Sequence, residues 1–301
     1  NKKAGEKKNL QKVGLQAKYS ASPAQRRIFF ASHSDKSEMS YNVPTLFRFH
    51  KAVDISKIKD VWQQIIDRHE ALRTRFIIDR AELFQVIDDP YEITMHTSQC
   101  DEDNLHAHVA TLIKQFDLEN GPLFCVNVIS TEIALYMFVD IHHIVVDGFS
   151  VNIIMNEFAN LFKGQALSDL EFQNKDIIYS RNLLFDDEVM KKQEQYWTSA
   201  LGEVAISDDI ITDYFRDSNK RIGCEKAYRI GGKITVDNIK DYSVQNSSTV
   251  FSILLACMYL TVWKYSDKQR ILAGVPFSGR TMSGMNDVVG MFVNVMPVVA
   301  E

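Results

Sequence analysis

Between Leu123 and Lys163 the sequence switches from the alternating period of strands to the period of a helix, and this switch narrows what the chain can fold into. Leu123–Ser130 and Ala134–Ile141 read as two strands joined through Thr131-Glu132. Phe149–Lys163 follows as an amphipathic helix, with Val151, Ile154, Met155, Phe158, Leu161 and Phe162 on one face and Gly164 as its stop. Apolar strands beside a helix with one apolar face bury their surfaces in layers, so the segment predicts a mixed, layered fold.

The same mixture runs along the rest of the chain. Ser22 caps a helix over Pro23–Ser32, where proline suits the first turn. Thr45–Phe49 reads as a strand, and Ile55–Arg68 as a helix with Ile58, Val61, Trp62, Ile65 and Ile66 on one face. Leu72–Ile78 and Leu83–Ile87 read as strands around a turn, and Asn104–Phe116 as a helix. Further on come a polar helix over Asp186–Ala200, a surface stretch over Ser207–Gly223 and a strand over Ala227–Ile230. An apolar helix over Thr249–Lys264 and a strand over Ile271–Val275 that ends at Pro276 complete the series. Alternating strands and helices place the chain in the α/β or α+β class.

Gly164, Ser168 and Asp169 interrupt the apolar pattern, so the expected division is a tail over 1–18, an N-terminal lobe over 19–168 and a C-terminal lobe over 169–301. The tail carries Lys2, Lys3, Lys7, Lys8 and Lys12 and reads as a solvated linker, with a docking segment as the alternative. The apolar run Val288–Val299 needs sheet partners that no later element supplies, so the second lobe is expected to be truncated and the 301-residue chain a poor catalyst by itself.

Composition removes whole classes of function. With a formal net charge of −5 and a pI of about 5.9, the chain has no basic field to hold a polyanion, so nucleic acid is not an expected partner. Cys100, Cys125, Cys224 and Cys257 lack metal or disulfide spacing. Cys125 and Cys257 sit in apolar runs and read as buried thiols, which suits a cytoplasmic protein. No apolar run reaches membrane-spanning length, so no membrane partner is expected.

The residues that carry chemistry lie in Ile141-His142-His143-Ile144-Val145-Val146-Asp147-Gly148-Phe149-Ser150, between strand and helix. Side chains alternate along a strand, so His142 and His143 are expected on opposite sides, one facing a cleft and the other in support. Opposite facing makes joint chelation poor, and no third ligand stands out, so no metal is expected. A neutral imidazole suits proton transfer from an amine or hydroxyl nucleophile. Asp147 is placed to accept a proton or to pair with a cation that shapes the loop, and Gly148 permits a tight backbone at the helix entrance. On residue chemistry alone, catalysis and a satisfied core role for the histidines stand side by side.

This segment resembles the His-His-x-x-x-Asp-Gly motif of condensation domains in non-ribosomal peptide synthetases, a motif shared with chloramphenicol acetyltransferase. Ser22-Pro23-Ala24-Gln25-Arg26-Arg27 resembles the family's opening motif, and Arg68-His69-Glu70-Ala71-Leu72-Arg73-Thr74-Arg75-Phe76 is similar throughout to its second. Phe116-Asp117-Leu118 with Gly121-Pro122-Leu123, Thr212-Asp213 with Arg216, Gly274-Val275-Pro276 with Gly279-Arg280, and Val289-Gly290-Met291-Phe292-Val293-Asn294 follow in the family's order. Around Asp176 the aromatic-rich motif of the family is lost, and Val295 stands where threonine is common.

The resemblance implies two chloramphenicol-acetyltransferase-like lobes in a V, with the histidine motif at their junction. It implies amide-bond formation between a donor acyl thioester and an acceptor aminoacyl thioester. Both would arrive on phosphopantetheine arms of upstream donor and downstream acceptor carrier domains, beside an adenylation domain, with no cofactor bound directly. His143 would take the amine proton or orient the amine, with His142 in support. Asp147 would form an ion pair with Arg73, and Gly148 would keep the channel open. Arg68, His69 and Glu70 otherwise read as a solvated helix end, above all Glu70. The alternatives are an epimerization domain of the same superfamily, a coenzyme A-dependent acyltransferase, and a non-catalytic carrier-docking module. Heterocyclization is disfavoured because the histidines are retained.

Overall fold

The computed structural model describes residues 10–34, 39–50, 53–185, 187–202, 235–266 and 270–300. The predicted Ser207–Gly223 stretch, the Ala227–Ile230 strand, Cys224, the Thr212-Asp213 and Arg216 positions and the tail up to Asn9 lie outside the described residues.

Local sequence signals start most elements. Strand β1 (Tyr19–Ser20) leads into helix α1 (Pro23–Ser34), closed at its start by a reciprocal box: Ser22 N donates to Gln25 Oε1 at 2.8 Å, and Gln25 N to Ser22 Oγ at 3.1 Å. After β2 (Thr45–Phe49), Asp54 caps α2 (Ile55–Arg68) by accepting from Ser56 N at 2.9 Å. The face expected from its period, Ile58, Val61, Trp62, Ile65 and Ile66, is the face it buries. A short 3-10 turn, Glu70–Arg73, takes up the residues expected to begin the next strand, so β3 runs Thr74–Asp79 before β4 (Glu82–Ile87).

Strand β5 (Met95–Gln99) was not foreseen in its polar sequence. Helix α3 (Leu105–Leu112) stops short of the expected Phe116 because Ile113 turns to extended backbone. The residues after it are held elsewhere: Asn42 Nδ2 donates to Lys114 O at 2.9 Å, and Phe76 N to Leu118 O at 2.8 Å. The hairpin β6 (Phe124–Ser130) and β7 (Leu135–Ile141) and the helix α4 (Gly148–Phe162) follow as predicted within a residue. Gly164, at φ +78°, ends α4: Gly164 N donates to Leu161 O and Gln165 N to Asn160 O, the paired bonds of a left-handed glycine cap. Helices α5 (Asn174–Leu184), α6 (Asp187–Leu201), α7 (Val236–Gln245) and α8 (Val250–Ser266) precede the strands β8 (Ile271–Phe277) and β9 (Asn294–Ala300). Strand β8 continues through Pro276, where the sequence suggested an end.

The four-stranded sheet has the order β2-β7-β6-β5, with β5 parallel to β6 and the other pairs antiparallel. Alternation sends Val126, Val128, Met137, Val139 and Ile141 toward the apolar faces of α2 and α4, around the fully buried Trp62. The opposite face carries Ile129, Tyr136 and Phe138 against Leu105 of α3. A second, antiparallel sheet has the order β1-β4-β3, and β8 pairs with β9.

The chain divides into two compact units, 1–192 with 276–294, and 193–275 with 295–301. The first unit extends beyond the expected boundary at 168 because α5 buries Ile177 against Met285, Val288 and Phe292, which return to it from late in the sequence. The tail is not a free linker from residue 10 onward. Gln11 N donates to Ser180 Oγ at 2.9 Å and Val13 N to Asp176 Oδ1 at 2.8 Å, fastening this stretch to α5. In the second unit, Tyr259 Oη donates to Val298 O at 2.7 Å, linking α8 to β9. Cys257, expected as a buried thiol, lies exposed on α8. No single described helix is long and apolar enough to cross a membrane.

Candidate active site

The histidine motif leaves β7 and enters α4 as a loop whose two ends are pinned differently. At the strand end, His142 N donates to Leu123 O at 2.9 Å and His143 N to Tyr41 O at 2.7 Å. The His142 side chain is buried, with the rings of Phe116 and Tyr41 near it, and its Nδ1 accepts from Ile144 N at 3.1 Å. Burial, with the adjacent His143 charge adding to it, pushes the His142 imidazole down to about 4, so it is neutral at pH 7 with its proton on Nε2. The His142 ring thus braces the turn that follows it, through the Ile144 N–H.

At the helix end, Asp147 caps α4. Its Oδ1 accepts from Ser150 N at 2.7 Å, and its Oδ2 from Phe292 N at 3.2 Å. Its cation is Arg280, whose Nη2 lies 3.2 Å from Oδ1. Arg73, the expected partner, is used elsewhere. Its Nε donates to Ile66 O at 3.1 Å and its Nη1 to Asp88 O, so it closes the last turn of α2, where carbonyls lack helical donors. The family resemblance pointed to Arg73, but Arg280 reaches Asp147 because 276–294 folds back onto the first unit.

Ser150 completes this anchor, and the sequence reading gave it no role. Its wholly buried hydroxyl accepts from Arg280 Nη2 at 2.8 Å and Gly290 N at 3.0 Å, and stands 2.8 Å from both Asp147 Oδ1 and Gly290 O. Arg280 also donates through Nη1 to Met285 O at 2.6 Å and Val288 O at 2.8 Å. The guanidinium lies 4.5 Å from the Phe149 ring and 4.6 Å from the Phe292 ring, a cation held between two aromatic faces. Gly290 lies so close to Asn174 that a Cβ there would stand 2.4 Å from Asn174 Oδ1.

Gln25 supports the middle of the loop. Its Nε2 donates to Gln85 Oε1 at 3.1 Å and, at a longer 3.4 Å, to Ile144 O. Asn174 Nδ2 reaches the same Gln85 oxygen at 3.1 Å, so buried carboxamides from α1, β4 and α5 meet behind the motif. Arg68, His69 and Glu70 are not a solvated end. Glu157 of α4 accepts from Arg68 Nε at 3.1 Å and meets His69 Nε2 at 2.6 Å, while Glu70 pairs with Lys175 at 2.6 Å. Burial by itself raises the Glu157 carboxyl, but the His69 hydrogen bond and the charges of His69 and Arg68 outweigh it and hold the group below the usual range.

His143 differs from its neighbours in the motif. It is half-buried, and its Nδ1, itself a buried atom, has no hydrogen-bond partner among the described residues. Gly148 lies exposed at the first position of α4, where a Cβ would meet nothing within 4 Å. The expected tight backbone is therefore not what requires glycine there.

Residues 15–301 match the profile of the condensation-domain family. The chain belongs to that family. Gramicidin S synthase 2 of Brevibacillus brevis is 31% identical over 288 residues, which cover 95% of this chain and 6% of that protein. Tyrocidine synthase 3 of Brevibacillus parabrevis is 32% identical over 289 residues, which cover 95% of this chain and 4% of that protein. The chain therefore spans a small fraction of the curated relatives it matches. Among solved structures, the X-domain in complex with OxyB from teicoplanin biosynthesis has a TM-score of 0.82 at 17% identity, over 97% of this chain and 67% of that one. The epimerization domain from the third module of tyrocidine synthetase B has a TM-score of 0.79 at 20% identity, over 96% of this chain and 69% of that one. These likenesses show that the chain has the condensation-domain fold.

Proposed function

We propose that this condensation domain forms an amide bond between a donor acyl thioester and an acceptor aminoacyl thioester, each tethered to a carrier domain through phosphopantetheine. The observation that carries the reading is a contrast within the motif: His142 and Asp147 are buried and bonded on either side of a His143 that is half-buried with an unpartnered ring nitrogen. In this reading the acceptor amine nitrogen attacks the donor carbonyl carbon. The carbon–sulfur bond breaks, His143 takes the proton shed by nitrogen, and that proton passes to the leaving donor thiolate. Holding two tethered reactants together supplies much of the rate, and the histidine supplies alignment and proton transfer. The V arrangement of lobes, the adjacent adenylation domain and a cytoplasmic setting belong to the same proposal.

The test loads a donor carrier with an acyl group and an acceptor carrier with an amino acid, then follows the mass of each after the protein is added. Amide formation moves the donor mass onto the acceptor carrier and frees the donor thiol. Exchange of the α-hydrogen of a carrier-bound residue, without transfer, would replace this reading with epimerization. Consumption of acyl coenzyme A with a soluble acceptor would replace it with a coenzyme A-dependent acyltransferase, and carrier binding with neither reaction by a docking role.

A further inference from the structure

Beside the first histidine of the motif, the described residues line a cavity of about 350 Å³. Ser32 and His33 reach it from the last turn of α1, Phe116, Leu118 and Glu119 from the segment before β6, and His142 from the motif. The volume lies in the range of small-ligand sites and is roughly ten times the share of one water in the liquid, more than a single bridging water fills.

Two polar groups in the lining have no hydrogen-bond partner among the described residues. Ser32 is 8% exposed, and its buried hydroxyl oxygen makes no hydrogen bond among the described residues. His142 is 4% exposed and spends Nδ1 on the Ile144 N–H, which leaves an Nε2–H that meets no acceptor among the described residues. Buried donors without acceptors are rare in folded proteins because desolvation is then uncompensated.

The walls and rim have their own character. The Phe116 ring stands edge-on to His142 at 6.0 Å, and Leu118 adds apolar surface. At the rim, His33 stacks on Phe29 at 4.4 Å and sets its Nε2 3.3 Å from Glu119 Oε1. Asp117 adds a second carboxylate to the lining, so carboxylates outnumber the one rim imidazole.

We propose that this cavity binds a small amino-acid amide, with its carbonyl oxygen on the His142 Nε2–H and the Ser32 hydroxyl, its aliphatic side chain against Phe116 and Leu118, and its ammonium at Glu119. A purely apolar guest leaves both floor donors unpaired, and an anion meets the carboxylates, so neither fits as well. The lining includes His142 and not His143, so the site is separate from the group proposed to take the amine proton.

The experiment is a titration of the intact protein with leucinamide, followed by NMR of the histidine ring nitrogens, with N-acetylleucine as the anionic control. The expected result is a saturable shift of the His142 ring nitrogens with leucinamide and none with N-acetylleucine. Glu119→Gln and Ser32→Ala should each weaken binding about fivefold, the factor given by the net contribution of one hydrogen bond. Should either variant fail to fold, the comparison of the two ligands on the unaltered protein still decides. No saturable shift, meaning a cavity that holds only water, overturns the proposal, as does equal binding of N-acetylleucine.

Discussion

Arg280 Nη2 lies 3.2 Å from Asp147 Oδ1, across 133 positions of sequence, and the two side chains are 4% and 0% exposed. A buried pair of this kind is tolerable when most of its remaining donors and acceptors are also met, and here Ser150, Phe292, Met285 and Val288 meet all but Arg280 Nε, which has no partner among the described residues. The pair joins the start of α4 to the returning 276–294 segment, so it acts on how the motif is held.

Removing one member of the pair strands a buried charge. Asp147→Ala is expected to lower unfolding free energy by about 3–5 kcal/mol in denaturant titrations, while Arg73→Ala, which loses contacts at the end of α2, costs about 1–2 kcal/mol. A double-mutant cycle should show strong coupling between Asp147 and Arg280 and almost none between Asp147 and Arg73. Equal coupling to both arginines would contradict the assignment.

Stability should fall on mild acidification because of His142. Its imidazole is held down at about 4, against an ordinary value of 6.5. The folded state therefore favours the neutral form, and the contribution is present above the unfolded value and lost as pH falls from there through the folded value. The loss is on the order of 3 kcal/mol. Unfolding curves across that window should show the decline, and His142→Gln should flatten it. Glu157, held below its ordinary range, works in the same direction at lower pH: its stabilisation is lost as pH falls through its depressed value.

Glycines near the motif should answer differently to alanine. At Gly279, φ is +67° and a Cβ would stand 2.1 Å from Phe292 O, while at Gly148 a Cβ meets nothing. Gly279→Ala should destabilise the fold by about 1–3 kcal/mol or more from backbone strain and clash. Gly148→Ala should melt near the unaltered protein, so that any loss of transfer reports on passage of substrate. A large fall in its melting temperature would show a conformational need for glycine that the open surroundings do not explain.

Strong local periodicity made much of this fold legible. Helix α2 and strand β2 have the bounds their sequences predict, and α2 buries the apolar face set out by its 3.6-residue period. Strand β5 was missed because Met-His-Thr-Ser-Gln shows neither apolar alternation nor β-branched richness; pairing beside β6 makes it a strand. The C-terminal end of α3 was misjudged because the extended course of residues 113–118 is set by distant partners, Asn42 and Phe76. At the site, the motif itself was readable, but the partner of Asp147 was not. Arg73 and Arg280 both lay in matched segments, and the return of 276–294 to the first unit distinguishes them. Ser150 was within the motif segment all along; its burial and its contact with Gly290 are properties of the fold.

The central claim is that His143 is the reactive group of a loop held in place by its neighbours. Single-turnover transfer from a loaded donor carrier to a loaded acceptor carrier, compared between the unaltered protein and His143→Ala, tests it most directly. Because the His143 ring Nδ1 makes no hydrogen bond, the substitution should leave the melting temperature nearly unchanged. Transfer should fall by about 100-fold or more, the scale of a lost general acid–base group, with carrier binding retained. A folded, carrier-binding His143→Ala protein that transfers at the unaltered rate would contradict the account and leave the reaction to substrate positioning alone.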